Sequence, residues 1–305
     1  MNDYLRDLNN TEIISKIIDP DIKDGLPVLS VVIVTYNTNK DQLEQCLSSL
    51  NNQTFKEFEI LLVDNNDQLD ISDLVSKYTI KYIKLKRNYG VNIGRNVGIN
   101  FSKGDIIVFL DDDAIPARNF VEAHFNAHNE CNMLGLRGKS LPKTSSIYNH
   151  FASHYDLGEK VIPWLMDLEG NSSFKKETLI EAGGFNPELW GHEGIELSYR
   201  IISRYKDKSK LVYHPKPIIY HDYSDTFIKY AKKQLRHDRH RVMLNYYFPD
   251  LFKFASKYKL DSIKLKKDTP PLLVRVKLFA IFALTFLIVN VVRLKRLLFK
   301  WKPTY

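Results

Sequence analysis

IIVFLDDDAIP, residues 106–116, runs five apolar side chains straight into three consecutive aspartates. An unbroken apolar row this short, preceded by Lys103-Gly104, is the pattern of a strand covered on both faces, as in a parallel sheet. Open α/β sheets bind ligands at the carboxyl ends of such strands. Three adjacent carboxylates repel one another at neutral pH, which raises their pKa values and costs stability. A hard divalent cation, Mg2+ or Mn2+, offsets that repulsion. Side-chain alternation points Asp111 and Asp113 the same way at the strand exit. A solvated acidic turn is the plain alternative, and the rest of the chain decides between the two.

Working outward, SVVIVTYN (residues 30–37), FEILLVDNN (58–66) and IKYIKL (80–85) read as further strands. Helical periodicity runs through Leu43, Cys46, Leu47 and Leu50, and helices are expected over 69–78 and 93–101. This alternation predicts an α/β fold: a doubly wound, mainly parallel sheet flanked by helices, with ligand-binding loops at the strand ends. Three of those ends are polar: Thr35-Tyr36-Asn37, Asp64-Asn65 and Asp111-Asp112-Asp113. After Phe120 the alternation loosens. EGNSSFKKETLIEAGGF (169–185) predicts a short strand, a helix and a Gly-Gly turn, and a second helix starts at Glu193 and runs to about Tyr205. Two separate strands, 210–213 and 218–221, flank Pro215 and Pro217, and a long basic helix follows from Thr226 to Tyr247.

Three regions result. Residues 1–27 form a helical lead-in, from the spacing of Leu5, Leu8, Ile13, Ile14, Ile17 and Ile18, and end in the Gly25-Leu26-Pro27 turn. Residues 28–247 are the main domain, divided near residue 120, and residues 248–305 are a helical basic tail. In the tail, Leu278–Val292 is fifteen residues without a charge, bracketed by Arg275, Lys277, Arg293, Lys295, Arg296, Lys300 and Lys302. That falls short of the roughly 20 residues a span needs. It predicts a helix lying in an anionic membrane surface, with a helix packed on the domain as the alternative.

The chain has 305 residues, 44% hydrophobic, and a formal charge of +8 with pI near 9.1, which suits an anionic partner. Nucleic acid has only that charge in its favour and is not expected. Cys46 and Cys131 have no zinc-site spacing and are expected to be reduced core residues. MNDYLRDLNN lacks the basic and apolar regions of a signal peptide, so a cytoplasmic protein, peripheral on the membrane's cytoplasmic face, is expected.

Taken together, SVVIVTYN, ILLVDNN and RNYGVNIGRNVGINFSKGDIIVFLDDDAIP resemble the nucleotide-sugar half of glycosyltransferases of family 2, which have the GT-A fold. EGNSSFKKETLIEAGGF and WGHEGIELSYR resemble the acceptor half, 121–247. The resemblance implies transfer of a sugar from a nucleotide-diphosphate donor, UDP-sugars favoured, to a glycan, lipid-linked or polysaccharide acceptor, with inversion. It assigns Thr35, Tyr36, Asn37, Asp64 and Asn65 to the nucleotide. Asn88, Gly94 and Arg95 belong to a glycine-punctuated loop entering a helix, whose N–H groups favour anions. Asp111 and Asp113 match the family's DxD motif and imply Mn2+ or Mg2+, with Asp112 nearer the ribose or sugar and His221 as a third ligand. Asn171 falls at a turn lining the sugar pocket, and Arg236 and Arg239 on the basic helix close on the diphosphate or form a solvated face.

One departure stands out. Relatives carry an acidic pair in the acceptor-side helix, one member serving as the base, whereas here Glu193 is followed by Gly194. Glu193 is the expected base, ionised at neutral pH because its acidic neighbour is missing. Glu196 lies four residues before Arg200, so it is expected on the helix surface, orienting the helix through that cation. A catalytically silent nucleotide-sugar-binding protein on the same fold is the alternative that Gly194 raises. Neither a GxGxxG nor a triphosphate loop follows the first strand, which disfavours nicotinamide and nucleotidyltransfer chemistry.

Overall fold

The computed structural model describes residues 3–5, 12–20, 27–37, 39–66, 70–258 and 269–298. Leu8, Gly25-Leu26, Leu69 and the cations after Leu298 lie outside the described residues. The strands are β1 (Ile14–Ile18), β2 (Leu29–Thr35), β3 (Phe58–Asp64), β4 (Lys81–Leu85), β5 (Ile106–Asp111), β6 (Ile115–Pro116), β7 (Gly135–Leu141), β8 (Ile162–Pro163), β9 (Asn171–Lys175) and β10 (Leu211–Tyr220). The helices are α1 (Lys40–Asn51), α2 (Ser72–Val75), α3 (Val91–Phe101), α4 (Phe120–Glu130), α5 (Lys176–Ala182), α6 (Glu193–Tyr205), α7 (Phe227–Tyr247), α8 (Pro249–Ala255) and α9 (Leu272–Leu298).

Among the described residues, all ten strands join one sheet in the order β1-β4-β3-β2-β5-β9-β7-β10-β6, with β8 added on β10. Strands β4, β3, β2 and β5 are parallel, as their continuous apolar runs require. Val31 and Ile33 join the core under α1, while Val32 joins the core on the opposite face with Ile107 and Phe109. Beyond β5 the sheet turns mixed: β9 runs antiparallel to both β5 and β7. The architecture is the expected α/β, GT-A-like sheet flanked by helices, but mixed rather than mainly parallel: of the nine described strand pairings four are parallel and five antiparallel.

Four local expectations are corrected. Residues 14–18 form no helix; ISKII is an edge strand antiparallel to β4, with a register shift between Ile14 and Lys16, because an exposed edge tolerates the mixed pattern that mimicked helical spacing. The helix expected over 69–78 is only α2. The two strands expected around Pro215 and Pro217 are one, β10. Its ladder to β7 is Tyr213↔Arg137 and then Ile218↔Lys139, so the prolines, which lack N–H donors, sit in an irregularity. The apolar tail is also longer than fifteen residues. Arg275 and Lys277 lie inside α9 rather than ending it, and Leu272–Arg296 is, by length and composition alone, long enough to cross a membrane.

Helix α9 docks by one seam. Thr285 is buried, Val274, Leu278, Ile281, Ile288, Val289 and Val292 are half-buried, and apolar side chains such as Phe279, Phe286 and Leu287 are exposed. It packs on α7 and on the short turn Ile147–Phe151, and Asp238 of α7 accepts from Arg293 Nε at 2.9 Å and from Arg296 NH1 at 3.3 Å.

Helix α3 sits unusually close to β2. A Cβ on Gly98 would lie 2.2 Å from Val32 Cγ1, and one on Gly94 would lie 2.5 Å from Val34 Cγ1. These glycines therefore serve helix–sheet packing. Gly98→Ala is expected to destabilise the domain by about 1–3 kcal/mol through overpacking, with part of the loss recovered when Val32→Ala is added. Thermal unfolding of the three variants checks this, and an undiminished midpoint for Gly98→Ala contradicts it.

Candidate active site

The acidic run enters a turn between β5 and β6. Although β6 is only two residues long, it pairs antiparallel with the end of β10, Pro116 opposite Ile219 and Ile115 opposite Tyr220. That pairing carries the aspartates to His221, the next residue after β10. Ligand atoms of Asp111, Asp113 and His221 all lie within 4.8 Å of one another. His221 Nε2 is 3.2 Å from Asp113 Oδ1, and its buried Nδ1 has no hydrogen-bond partner among the described residues. Burial works to deprotonate His221, but the hydrogen bond and charge of Asp113, followed by the charge of Asp111, outweigh it and raise its pKa. Burial likewise works to raise Asp113, and His221 and Lys143 reverse the sign. Asp111 is pushed up, first by burial. Two carboxylates and an imidazole converging at this distance, with one acid held against its ionisation, fit a divalent cation. The oxygen ligands suit Mg2+ and Mn2+, and the imidazole favours Mn2+.

A cleft of about 620 Å3 opens beside this trio, lined by Arg95, Asp111, Glu169, Trp190, Glu193, His221, Lys233 and Arg236 among others. Glu169 enters because β9 pairs with β5: Leu110 stands opposite Asn171, and Asp111 N–H donates to Gly170 O at 3.3 Å. Glu169 Oε1 then accepts from Gly194 N–H, the second residue of α6, at 2.7 Å. A carboxylate is favoured at a helix N-terminus, where N–H groups lack partners. Gly194 is required by the same packing, since a Cβ there would lie 1.8 Å from Met166 O. The missing acidic neighbour of Glu193 is thus supplied across space by Glu169.

This corrects the expectation that Glu193 is ionised at neutral pH. Burial and then the charge of Glu169 push its pKa up to about 7, against the opposing charge of Arg95, whose NH1 lies 3.9 Å from Glu193 Oε1. Glu196 is not on the helix surface. It is buried, bonded through both oxygens to Arg200 at 2.7 and 2.8 Å, and outside the cleft lining.

The nucleotide-side residues gather at neighbouring strand ends but away from this cleft. Thr35 and Asp64 are register partners; Thr35 is buried, Tyr36 is exposed, and Asn37 has φ 51°. Asp64 is enclosed, accepting from Tyr82 Oη at 2.5 Å and from Asn66 N–H at 3.0 Å, with Lys84 Nζ 3.6 Å away; burial raises its pKa. Residues 38 and 67–69 beside them lie outside the described residues. Asn88 Oδ1 accepts from Asn65 Nδ2 and from Gly90 N–H, both at 2.9 Å, tying the β3 exit to the start of α3. Arg95 is buried in the cleft wall, 3.1 Å from Asn92 Oδ1, whereas Gly94 faces β2.

Asn171 does not face the cleft. Fully buried, it donates to Lys139 O at 2.9 Å and Pro217 O at 3.3 Å, knitting β9 to β7 and β10. Asp112 lies half-exposed in the turn. Of the two arginines on α7, Arg236 lines the cleft and Arg239 is exposed outside it. Cys46 is a core residue, as expected, and Cys131 only half-buried. Sequence reasoning missed Glu169 and Lys233. Glu169 opens the EGN turn already singled out for Asn171. Lys233 lies one turn before His237 on α7, its Nζ 3.8 Å from the Tyr223 ring centroid; burial, then Arg236, pushes its pKa down to about 8.

An α/β sheet of this order, with carboxylates and a histidine at its carboxyl edge beside an acid-lined cleft, is GT-A-like. The chain matches the model of glycosyl transferase family 2 over residues 30–170. It is 28% identical over 196 residues to the uncharacterized glycosyltransferase YfnE of Bacillus subtilis, covering 61% of this chain and 49% of that protein. It is 28% identical over 198 residues to the GalNAc(5)-diNAcBac-PP-undecaprenol beta-1,3-glucosyltransferase of Campylobacter jejuni, covering 60% of this chain and 62% of that protein. The chain thus spans about half to three-fifths of these relatives. Its fold is similar to that of the mannosyltransferase PcManGT from Pyrobaculum calidifontis, solved with GDP-Man and Mn2+. The TM-score is 0.54 at 16% identity, over 83% of this chain and 68% of that one.

The pairing of Glu169 with Glu193 has a direct test. Replacing Glu169 with Gln removes the like charge that adds to burial in raising Glu193, so the Glu193 pKa is expected to fall below about 7. Carbon-detected NMR titration of labelled glutamates reads this. An unmoved Glu193 titration in a folded Glu169→Gln protein contradicts the coupling.

Proposed function

We propose that the chain is an inverting, metal-dependent glycosyltransferase in which Glu193 is the general base. The observation carrying this reading is the position of Glu193 in one cleft with Asp111 and His221, facing Arg95. Asp111, Asp113 and His221 would hold Mn2+ or Mg2+, which when bound neutralises charge on the donor's diphosphate. Lys233 and Arg236 face the same space and stabilise the departing nucleotide diphosphate electrostatically. Glu193, once deprotonated, accepts the acceptor hydroxyl's proton as that oxygen attacks the anomeric carbon. Arg95 holds the carboxylate, and Glu169 keeps it basic enough for the task near neutral pH. Glu196 acts through Arg200 to fix α6. Thr35, Tyr36, Asn37, Asp64, Asn65 and Asn88 form the nucleotide side. UDP-sugars are the favoured donors, and the acceptor is a glycan, lipid-linked glycan or polysaccharide.

A base must be deprotonated, so transfer is expected to rise as pH climbs through about 7 and to fade below it. Glu193→Gln should cut transfer by roughly two to four orders of magnitude with nucleotide binding retained. Asp113→Asn should instead abolish the part of UDP or GDP binding that calorimetry finds sensitive to EDTA. Near-normal turnover in Glu193→Gln would move the base elsewhere, and EDTA-insensitive nucleotide binding by the wild type would remove the metal.

The exposed apolar face of α9, with Arg275 and Lys277 at one end and Lys295 and Arg296 at the other, supports peripheral binding to the anionic cytoplasmic face of a membrane. The α9 seam packs on basic α7, which keeps one side of the helix out of lipid. Flotation with phosphatidylglycerol vesicles is expected for the wild type and weakened in a Phe279→Glu, Leu287→Glu double variant. Equal flotation of the two rejects this attachment.

A further inference from the structure

Behind the main cleft a second groove of about 420 Å3 runs between α7 and α9. Its two walls differ in kind. Phe282, Phe286 and Val289 of α9 supply an apolar wall, while Tyr230, Gln234 and His237 of α7 supply a polar one. The groove adjoins the main cleft: His192 and His237 line both, their rings edge to face at 5.4 Å, and His192 immediately precedes Glu193. Its rim is electropositive. Arg241 and Arg293, both in the lining, share the single carboxylate of Asp238, at 3.3 and 2.5 Å. A ligand matching this groove has an apolar chain, an anionic group beside the arginines and histidines, and a hydroxyl-bearing part that reaches Glu193.

We infer that the α7–α9 groove is the acceptor's lipid subsite, holding the chain and phosphate of a lipid-phosphate-linked acceptor. This rests on the reading of the main cleft as the transfer site. The aromatic side chains of α9 take the first part of the lipid chain, and Arg241, Arg293 and the two histidines take the phosphate. The sugar end then passes His192 into the cleft. Burying apolar chain is favourable in proportion to the area removed from water, and phosphate adds charge-assisted hydrogen bonds to guanidinium groups. Both parts are therefore needed for tight binding.

The test uses the full chain in phosphatidylcholine nanodiscs, with decyl phosphate as probe and decanol and inorganic phosphate as controls. Calorimetry is expected to find one site for decyl phosphate, with at least tenfold weaker binding of each control. Val289→Trp, which fills the groove, should weaken decyl phosphate at least tenfold, whereas Val276→Gln, on the outward face of α9, should leave it within about twofold. Should Val289→Trp unfold by thermal melting, Phe282→Gln, which removes part of the apolar wall, replaces it with the same expectation. Equal binding in the groove variant and wild type overturns the proposal, as does equal weakening by the groove and outward variants, which would mean adsorption along the exposed helix. A wild type that binds decyl phosphate but no UDP or GDP with Mn2+ overturns the transfer-site reading instead.

Discussion

Carboxylate crowding is the constraint on which this structure turns. Asp111, Asp113, Glu169 and Glu193 meet at one edge of the sheet, where leaving a buried charge uncompensated costs several kcal/mol. The fold answers from different elements: His221 from β10, a free N–H from α6, Arg95 from α3, and Lys233 with Arg236 from α7. No counter-charge is a sequence neighbour of the acid it serves. The acidic edge can therefore exist only when the mixed half of the sheet and α7 have docked on the parallel half, which ties the chemistry to completion of the fold.

The parallel half was legible because its signals are local. Apolar strands ending in polar residues can be read within a dozen positions, and Asp111, Asp113 and His221 were named from such ends and a family motif. What escaped reading depends on contacts across the chain. Glu169 was hidden because an acidic partner for Glu193 was sought along α6, whereas it comes from the turn before β9. Asn171, two residues on, is the first residue of β9 and is held by Lys139 O and Pro217 O, whereas Glu169 lies in the turn before the strand, outside its alternation. At the edges, ISKII is short enough to fit either period, and Arg275 and Lys277 look like ends although a helix accommodates them inside.

Gly194 changes meaning in this light. Read along the chain, it breaks an acidic pair; in three dimensions it is the space that lets the 166–169 turn close on α6. The acid removed from the helix returns as its N-terminal partner, so the two carboxylates belong to different elements, the turn before β9 and α6. Their mutual repulsion, and with it the basicity of Glu193, depends on how tightly the turn before β9 seats against α6.

Helix α7 is a party wall. Lys233, Arg236 and His237 look into the catalytic cleft, while Tyr230, Gln234 and Asp238 look toward α9. The main cleft and the apolar helix are therefore separated by one helix thickness, about 10 Å. This separation works as a ruler: a ligand held at once by the apolar side chains of α9 and by Glu193 has to bridge at least the width of α7.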